Sequence, residues 1–167
     1  MNPASEAPLA FFDEVFAAFE RACGNAGGAV DRTFVLVGRT IRMRFAGPAM
    51  LPLMFPAFEH LAAESSAKPD LTVCVWDGAS TGTKLPPPPW TGTNPYSPRG
   101  DVAGFNDERI HTAYHIGAAV LNLLDAERRI AIYCTHDAAQ LPSYEIGAPL
   151  RTILHWWMRR YGCQYIH

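Results

Sequence analysis

The sequence predicts an α+β fold: a mixed, largely antiparallel sheet with helices packed mainly on one side. Three observations carry this. Two pairs of β-rich runs are joined by short polar connections, at 33–46 and 118–135. Helical periodicity is confined to the two ends of the chain and to one stretch near residue 50. The stretch at 78–100 is too rich in proline and glycine for a regular helix or a central strand. The chain has 167 residues and is 49% apolar, which suits one domain with a sizeable core. The expected organisation is therefore a single domain over 1–167.

The elements follow in chain order. Leu9 to Cys23 reads as an amphipathic helix, with Leu9, Phe12, Phe16 and Phe19 at helical spacing and Gly24 closing it. Thr33 to Val37 and Thr40 to Ala46 read as a tight hairpin about Gly38-Arg39. In the second run Ile41, Met43 and Phe45 take one face and Arg42 and Arg44 the other. Met50 to Ala63 looks helical, with Pro56 forcing a late start or a bend. Leu71 to Trp76 is a continuous apolar run between two aspartates, the pattern of a strand buried on both faces. Residues 78–100 hold six prolines and four glycines, so this segment is expected to be irregular. Trp90 and Tyr96 are placed to pin it to the body. Ala118 to Leu124 and Arg129 to Thr135 form a second hairpin across Asp125-Ala126-Glu127-Arg128. The last helix carries Leu150, Ile153, Leu154 and Trp157 as its apolar stripe, with Pro149 at its start and Gly162 past its end. The residues from Cys163 to His167 read as the start of a further strand.

Composition excludes several functions. Fourteen basic residues against sixteen acidic give a net charge of −2, which argues against nucleic acid or an anionic membrane as partner. No apolar run approaches the roughly 18–20 residues of a bilayer span. The N-terminus lacks the pattern of a secretory signal, and four cysteines in a chain of this length read as reduced thiols, so a cytoplasmic location is expected. The only lysines are Lys68 and Lys84, and neither follows a glycine. A P-loop needs a Gly-Lys pair, so this chain carries none.

Candidate chemistry is sparse. Cys134 and His136, with Cys163 and His167, do not match the C-x2-C pairs of zinc ribbons, and no metal is expected. His111 and His115 share a face on either a helix or a strand, but lack the glutamate of H-E-x-x-H. No G-x-S-x-G elbow is present. Thr81-Gly82-Thr83 and Thr91-Gly92-Thr93 do not open helices after strands, so they are no phosphate nest. Arg39, Arg42 and Arg44 form a cationic strip that fits an anion site or an ordinary solvated sheet face. Trp156 lies about 100° from the apolar stripe of its helix and, with Trp90 and Tyr96, is an interface candidate.

Several segments carry a family resemblance. Pro149-Leu150-Arg151, Leu154-His155-Trp156-Trp157-Met158 and Gly162-Cys163-Gln164-Tyr165-Ile166-His167 resemble the segment before the ATP site of HPr-kinase-like serine kinases, relatives of HPr serine kinase with a phosphoenolpyruvate-carboxykinase-like nucleotide fold. Val75-Trp76-Asp77-Gly78, the proline run ending at Trp90, and Pro142-Ser143-Tyr144-Glu145 agree. The likeness covers most of residues 70–167 and consists of framework patterns. It implies the N-terminal accessory portion of such a kinase, ending before the P-loop and catalytically silent alone. ATP and Mg²⁺ would belong to the kinase domain that follows. The implied partners are that domain and a protein or peptide substrate, with homo-oligomers as a further option. Of the family's functional residues only His167 can be matched, as the histidine at the entry to the nucleotide domain. The alternative reading is a stand-alone protein- or peptide-binding module; a metallo- or hydrolytic enzyme is a third.

Overall fold

The structure, a computed structural model, describes residues 3–65 and 68–162. Its centre is a seven-stranded mixed sheet in the order β3-β1-β2-β4-β7-β6-β5. The strands are β1 (Ala29–Leu36), β2 (Arg39–Ala46), β3 (Ala62–Ala63), β4 (Leu71–Asp77), β5 (Ile110–His115), β6 (Val120–Asp125) and β7 (Ile130–Thr135). Only the β2–β4 and β4–β7 pairs are parallel; the other four are antiparallel. The α+β class is as the sequence predicts.

The first hairpin turns at Val37 and Gly38, both with positive φ, one residue earlier than the sequence suggests. Paired positive φ values match the right-handed twist of the flanking strands. The strand β1 begins at Ala29, four residues before its apolar run. Its first half is exposed except at Val30, so burial leaves little signature there. The turn between β6 and β7 closes on Asp125. Its fully buried carboxylate takes two hydrogen bonds from Arg109 and accepts the backbone N–H groups of Glu127 and Arg128. Burial pushes this carboxyl up, but the hydrogen bonds together outweigh it and hold the pKa below the ordinary value.

Strand β4 is buried along almost its whole length, with Leu71, Val73 and Val75 on one face and Cys74 and Trp76 on the other. Both faces therefore need cover. One is covered by α1 (Pro3–Asn25), which packs Phe11, Phe12, Val15 and Phe19 over β2, β4, β5 and β6. Complete burial of each such side chain contributes about 1.5–3 kcal/mol. The other face takes most of the helices: α2 (Leu51–Met54), a 3₁₀ segment over Phe55–Leu61, α4 (Ser143–Gly147) and α5 (Arg151–Arg159). The expected continuous helix at 50–63 is thus broken. Pro56 lacks the N–H an α-helix needs there, and the chain tightens into 3₁₀ before ending in β3.

The expected irregular segment at 78–100 opens with a single turn, α3 (Gly78–Thr81), capped by the Asp77 carboxylate. Beyond it the chain runs without regular elements from Gly82 to Arg109. It is nonetheless anchored. Thr83 accepts the Trp76 indole N–H on its carbonyl and the Asn25 amide on its hydroxyl. The Trp90 ring packs edge-on against Phe11 and Phe105, and its N–H donates to the Tyr96 hydroxyl. Past Tyr96 the segment rounds the sheet and seals the outer edge of β5. The Tyr114 N–H donates to the Gly100 carbonyl and the Val102 N–H to the Thr112 carbonyl. Gly100 has φ 86°, and a Cβ there would meet the Tyr114 carbonyl at 2.8 Å and His115 Cδ2 at 2.7 Å. Only glycine permits this approach. Gly100→Ala is expected to lower unfolding stability by at least about 2 kcal/mol, combining left-handed strain with the clash. Urea denaturation checks it, and an unchanged midpoint would contradict the account.

Candidate functional site

The side chains of β5 alternate. Ile110, Thr112 and Tyr114 turn toward the α1 face, and His111, Ala113 and His115 toward the face of α4 and α5. His111 and His115 form the floor of an open cleft of about 820 Å³, which Tyr114 also lines. Helix α5 makes one wall with Arg151, Thr152, His155, Trp156 and Arg159. Segment 96–101 makes the opposite wall, and Tyr144 and Glu145 of α4 close one end. The rim carries two exposed apolar groups, Ile116 at 66% and Tyr144 at 53% exposure, more than any other large apolar side chain of the described residues except Val37.

A polar chain ties floor to wall. Tyr133 of β7 donates its hydroxyl to Glu145 Oε2 at 3.0 Å. Glu145 Oε1 lies 3.7 Å from His115 Nδ1, and His115 Nε2 lies 3.3 Å from Thr152 Oγ1. Glu145 is buried, so the Tyr133 hydroxyl supplies a bond it would otherwise lose with water. Burial and the adjacent carboxylate push the Tyr133 phenol far above its ordinary pKa, which keeps it a donor. The order carboxylate, imidazole, hydroxyl is one that activates nucleophiles. Here the 3.7 Å separation between Glu145 and His115 exceeds a hydrogen bond.

His111 stacks on the Trp156 indole, with centroids 5.3 Å apart. Burial and the nearby Arg160 charge hold its pKa below the ordinary value. The charges of the cleft are unequally engaged. Asp101 accepts the Ser97 hydroxyl, and Glu145 accepts the Tyr133 hydroxyl. The guanidiniums of Arg99, Arg151 and Arg159 have no hydrogen-bond or ion-pair partner among the described residues.

The expected site residues scatter. Trp156 and Tyr96 line the cleft. Trp90 is half-buried against Phe11 and Phe105 on the opposite face. His111 and His115 do share a face, as their spacing predicts, and no group of three or more metal-ligating side chains occurs among the described residues. Cys134 is buried under α1, while His136 is exposed. Cys163, His167 and the strand expected from 163 lie outside the described residues. The arginine strip is divided. Arg44 pairs with Asp31, whereas Arg39 reaches Asp70 and lies over the Tyr161 ring 3.8 Å from its centroid. Sequence reasoning missed Arg99, Arg151, Thr152 and Glu145 as site residues. One signal for α5 was available, because Arg151, His155 and Arg159 recur every four residues and so mark its cleft-facing side. No helix is long and apolar enough to cross a membrane among the described residues.

No protein-family model, curated protein or solved structure matches this chain.

The depressed pKa of His111 has a consequence for stability. The folded state binds its proton less readily than the unfolded chain does. Its contribution is therefore at full strength above the ordinary histidine pKa and is lost as pH falls through that value toward the lower folded one. Melting temperature is expected to fall between about pH 7 and pH 5, and His111→Phe is expected to flatten that slope. An identical slope in the variant would contradict the assignment.

Proposed function

We infer that the chain is the N-terminal, substrate-orienting portion of an HPr-kinase-like ATP-dependent serine kinase, with the cleft as the seat of a protein or peptide segment. The observation that carries this reading is where the resembling segments lie. Pro142-Ser143-Tyr144-Glu145 forms the entry to α4, and Pro149 to Met158 forms the entry and body of α5. Together they supply one wall and one end of the cleft, with Tyr144, Glu145, Arg151, Thr152, His155 and Trp156 facing it. A framework pattern that builds a cleft wall is what a substrate-orienting part requires. The volume lies within the range of ligand sites and is too great for a single small ion.

Chemistry at phosphate is not assigned to this chain. The sequence has no Gly-Lys pair, and the proline-rich segment lacks the N–H groups that cradle phosphates. ATP and Mg²⁺ therefore find no fitting cradle here. In this reading they belong to a P-loop domain downstream in the gene.

The alternative, a stand-alone protein- or peptide-binding module, is supported by the mixed lining of the same cleft, which sets exposed apolar side chains beside charged ones. One experiment separates the two. Calorimetry with ATP–Mg²⁺ is expected to show no micromolar binding by the 167-residue chain. A longer product of the same gene, carrying G-x-x-x-x-G-K-S/T after residue 167, is expected to bind ATP and transfer phosphate to a serine side chain. Micromolar binding by the short chain, or a gene product without a P-loop, would contradict the kinase reading.

A further inference from the structure

We propose that the cleft selects an acidic peptide segment, read by its carboxylates on Arg151, Arg159 and Arg99 and by its apolar side chains on Trp156, Tyr144 and Ile116. This rests on the reading of the cleft as a peptide seat and adds the ligand class.

Charge is the first argument. Three guanidiniums line one cleft with no internal partner among the described residues, and both lining carboxylates are already engaged. The same chain readily neutralises arginines elsewhere: Arg44 pairs with Asp31, Arg109 with Asp125 and Glu127, and Arg128 with Asp13. The cleft thus leaves donors unspent where a ligand enters. Guanidiniums bind carboxylates through two parallel hydrogen bonds, and Arg151 and Arg159 sit two helical turns apart. Eight residues of rise separate them by about 12 Å, which suits successive acidic side chains of an extended peptide better than one small anion.

Backbone geometry is the second argument. An extended peptide often docks by adding a strand to an open edge. The outer edge of β5 is already occupied at Gly100 and Val102, so that mode is blocked. Recognition must run through side chains, and the cleft offers aromatic and aliphatic surface beside the charges. Nucleic acid fits less well. The chain is net negative, and its unpaired cations in the cleft are a local cluster, not a basic face.

The experiment is fluorescence polarisation with the 167-residue chain and a short labelled peptide of alternating glutamate and phenylalanine. The same peptide with glutamine for glutamate, inorganic phosphate and a single-stranded oligonucleotide serve as comparisons. The acidic peptide is expected to bind roughly tenfold or more tightly than its glutamine counterpart, and more weakly as salt rises. The double variant Arg151→Ala/Arg159→Ala is expected to lose at least about tenfold in affinity while keeping its circular dichroism, since both side chains are exposed. Arg21→Ala, an exposed arginine on α1, is expected to change nothing. Equal binding of both peptides, unaffected by the double variant, would overturn the acidic preference and leave the peptide-seat reading standing. Displacement by inorganic phosphate or by the oligonucleotide at comparable concentration would overturn it in favour of those ligands. Binding of neither peptide would overturn it outright, with the nucleotide experiment still deciding the kinase reading.

Discussion

Burial of β4 on both faces is the constraint on which the rest of the structure depends. A strand with Leu71, Val73 and Val75 on one side and Cys74 and Trp76 on the other has no face to offer water. Two layers must cover the sheet, and the chain supplies them unequally. One layer is the long helix α1, with the proline-rich segment tucked beside it. The other is assembled from short pieces. The nine residues of α5 rise about 13 Å, whereas seven strands at about 4.8 Å spacing span about 29 Å between the outermost axes. The short helix packs most closely on β6, the neighbour of β5. What it leaves over β5 is the cleft.

The same geometry explains the chemistry of that cleft. An edge strand with one face under α1 and the other partly open favours its imidazoles on the open side. His111 and His115 occupy it, and α5 turns Arg151, His155 and Arg159 toward it. Glu145 fixes the arrangement. Its buried carboxylate is tolerated because Tyr133 donates to it from the sheet and His115 faces it from β5. The result joins α4 to two strands and α5 to one, with the cationic side chains left facing solvent.

Much of this was legible in the residues, and the rest was hidden for definite reasons. The continuous apolar run at 71–76 announced a strand buried on both faces, and both hairpins lay within a residue or two of their turns. The amphipathic stripe of α5 is the observed one: Ile153, Leu154 and Trp157 are buried. The break at Pro56 was visible, but 3₁₀ geometry and the strand that follows depend on packing against Phe34 of β1. The edge seal at Gly100 and Val102 could not be read locally, because two backbone hydrogen bonds leave no periodicity. The shared face of His111 and His115 followed from their spacing alone. That Glu145 and Thr152 would meet His115 required the fold, since these groups lie about thirty residues or more apart in the chain. The HPr-kinase-like reading rests on framework residues and stands as a proposal.

The measurement that tests the central claim most directly is backbone amide NMR of the chain titrated with the acidic peptide. If the uncovered end of the sheet is the binding seat, shifts will concentrate in residues 96–101, 111–116 and 144–159 and spare the outer face of α1. Shifts centred on α1 and the Arg42–Arg44 face, with β5 and α5 unmoved, would contradict it.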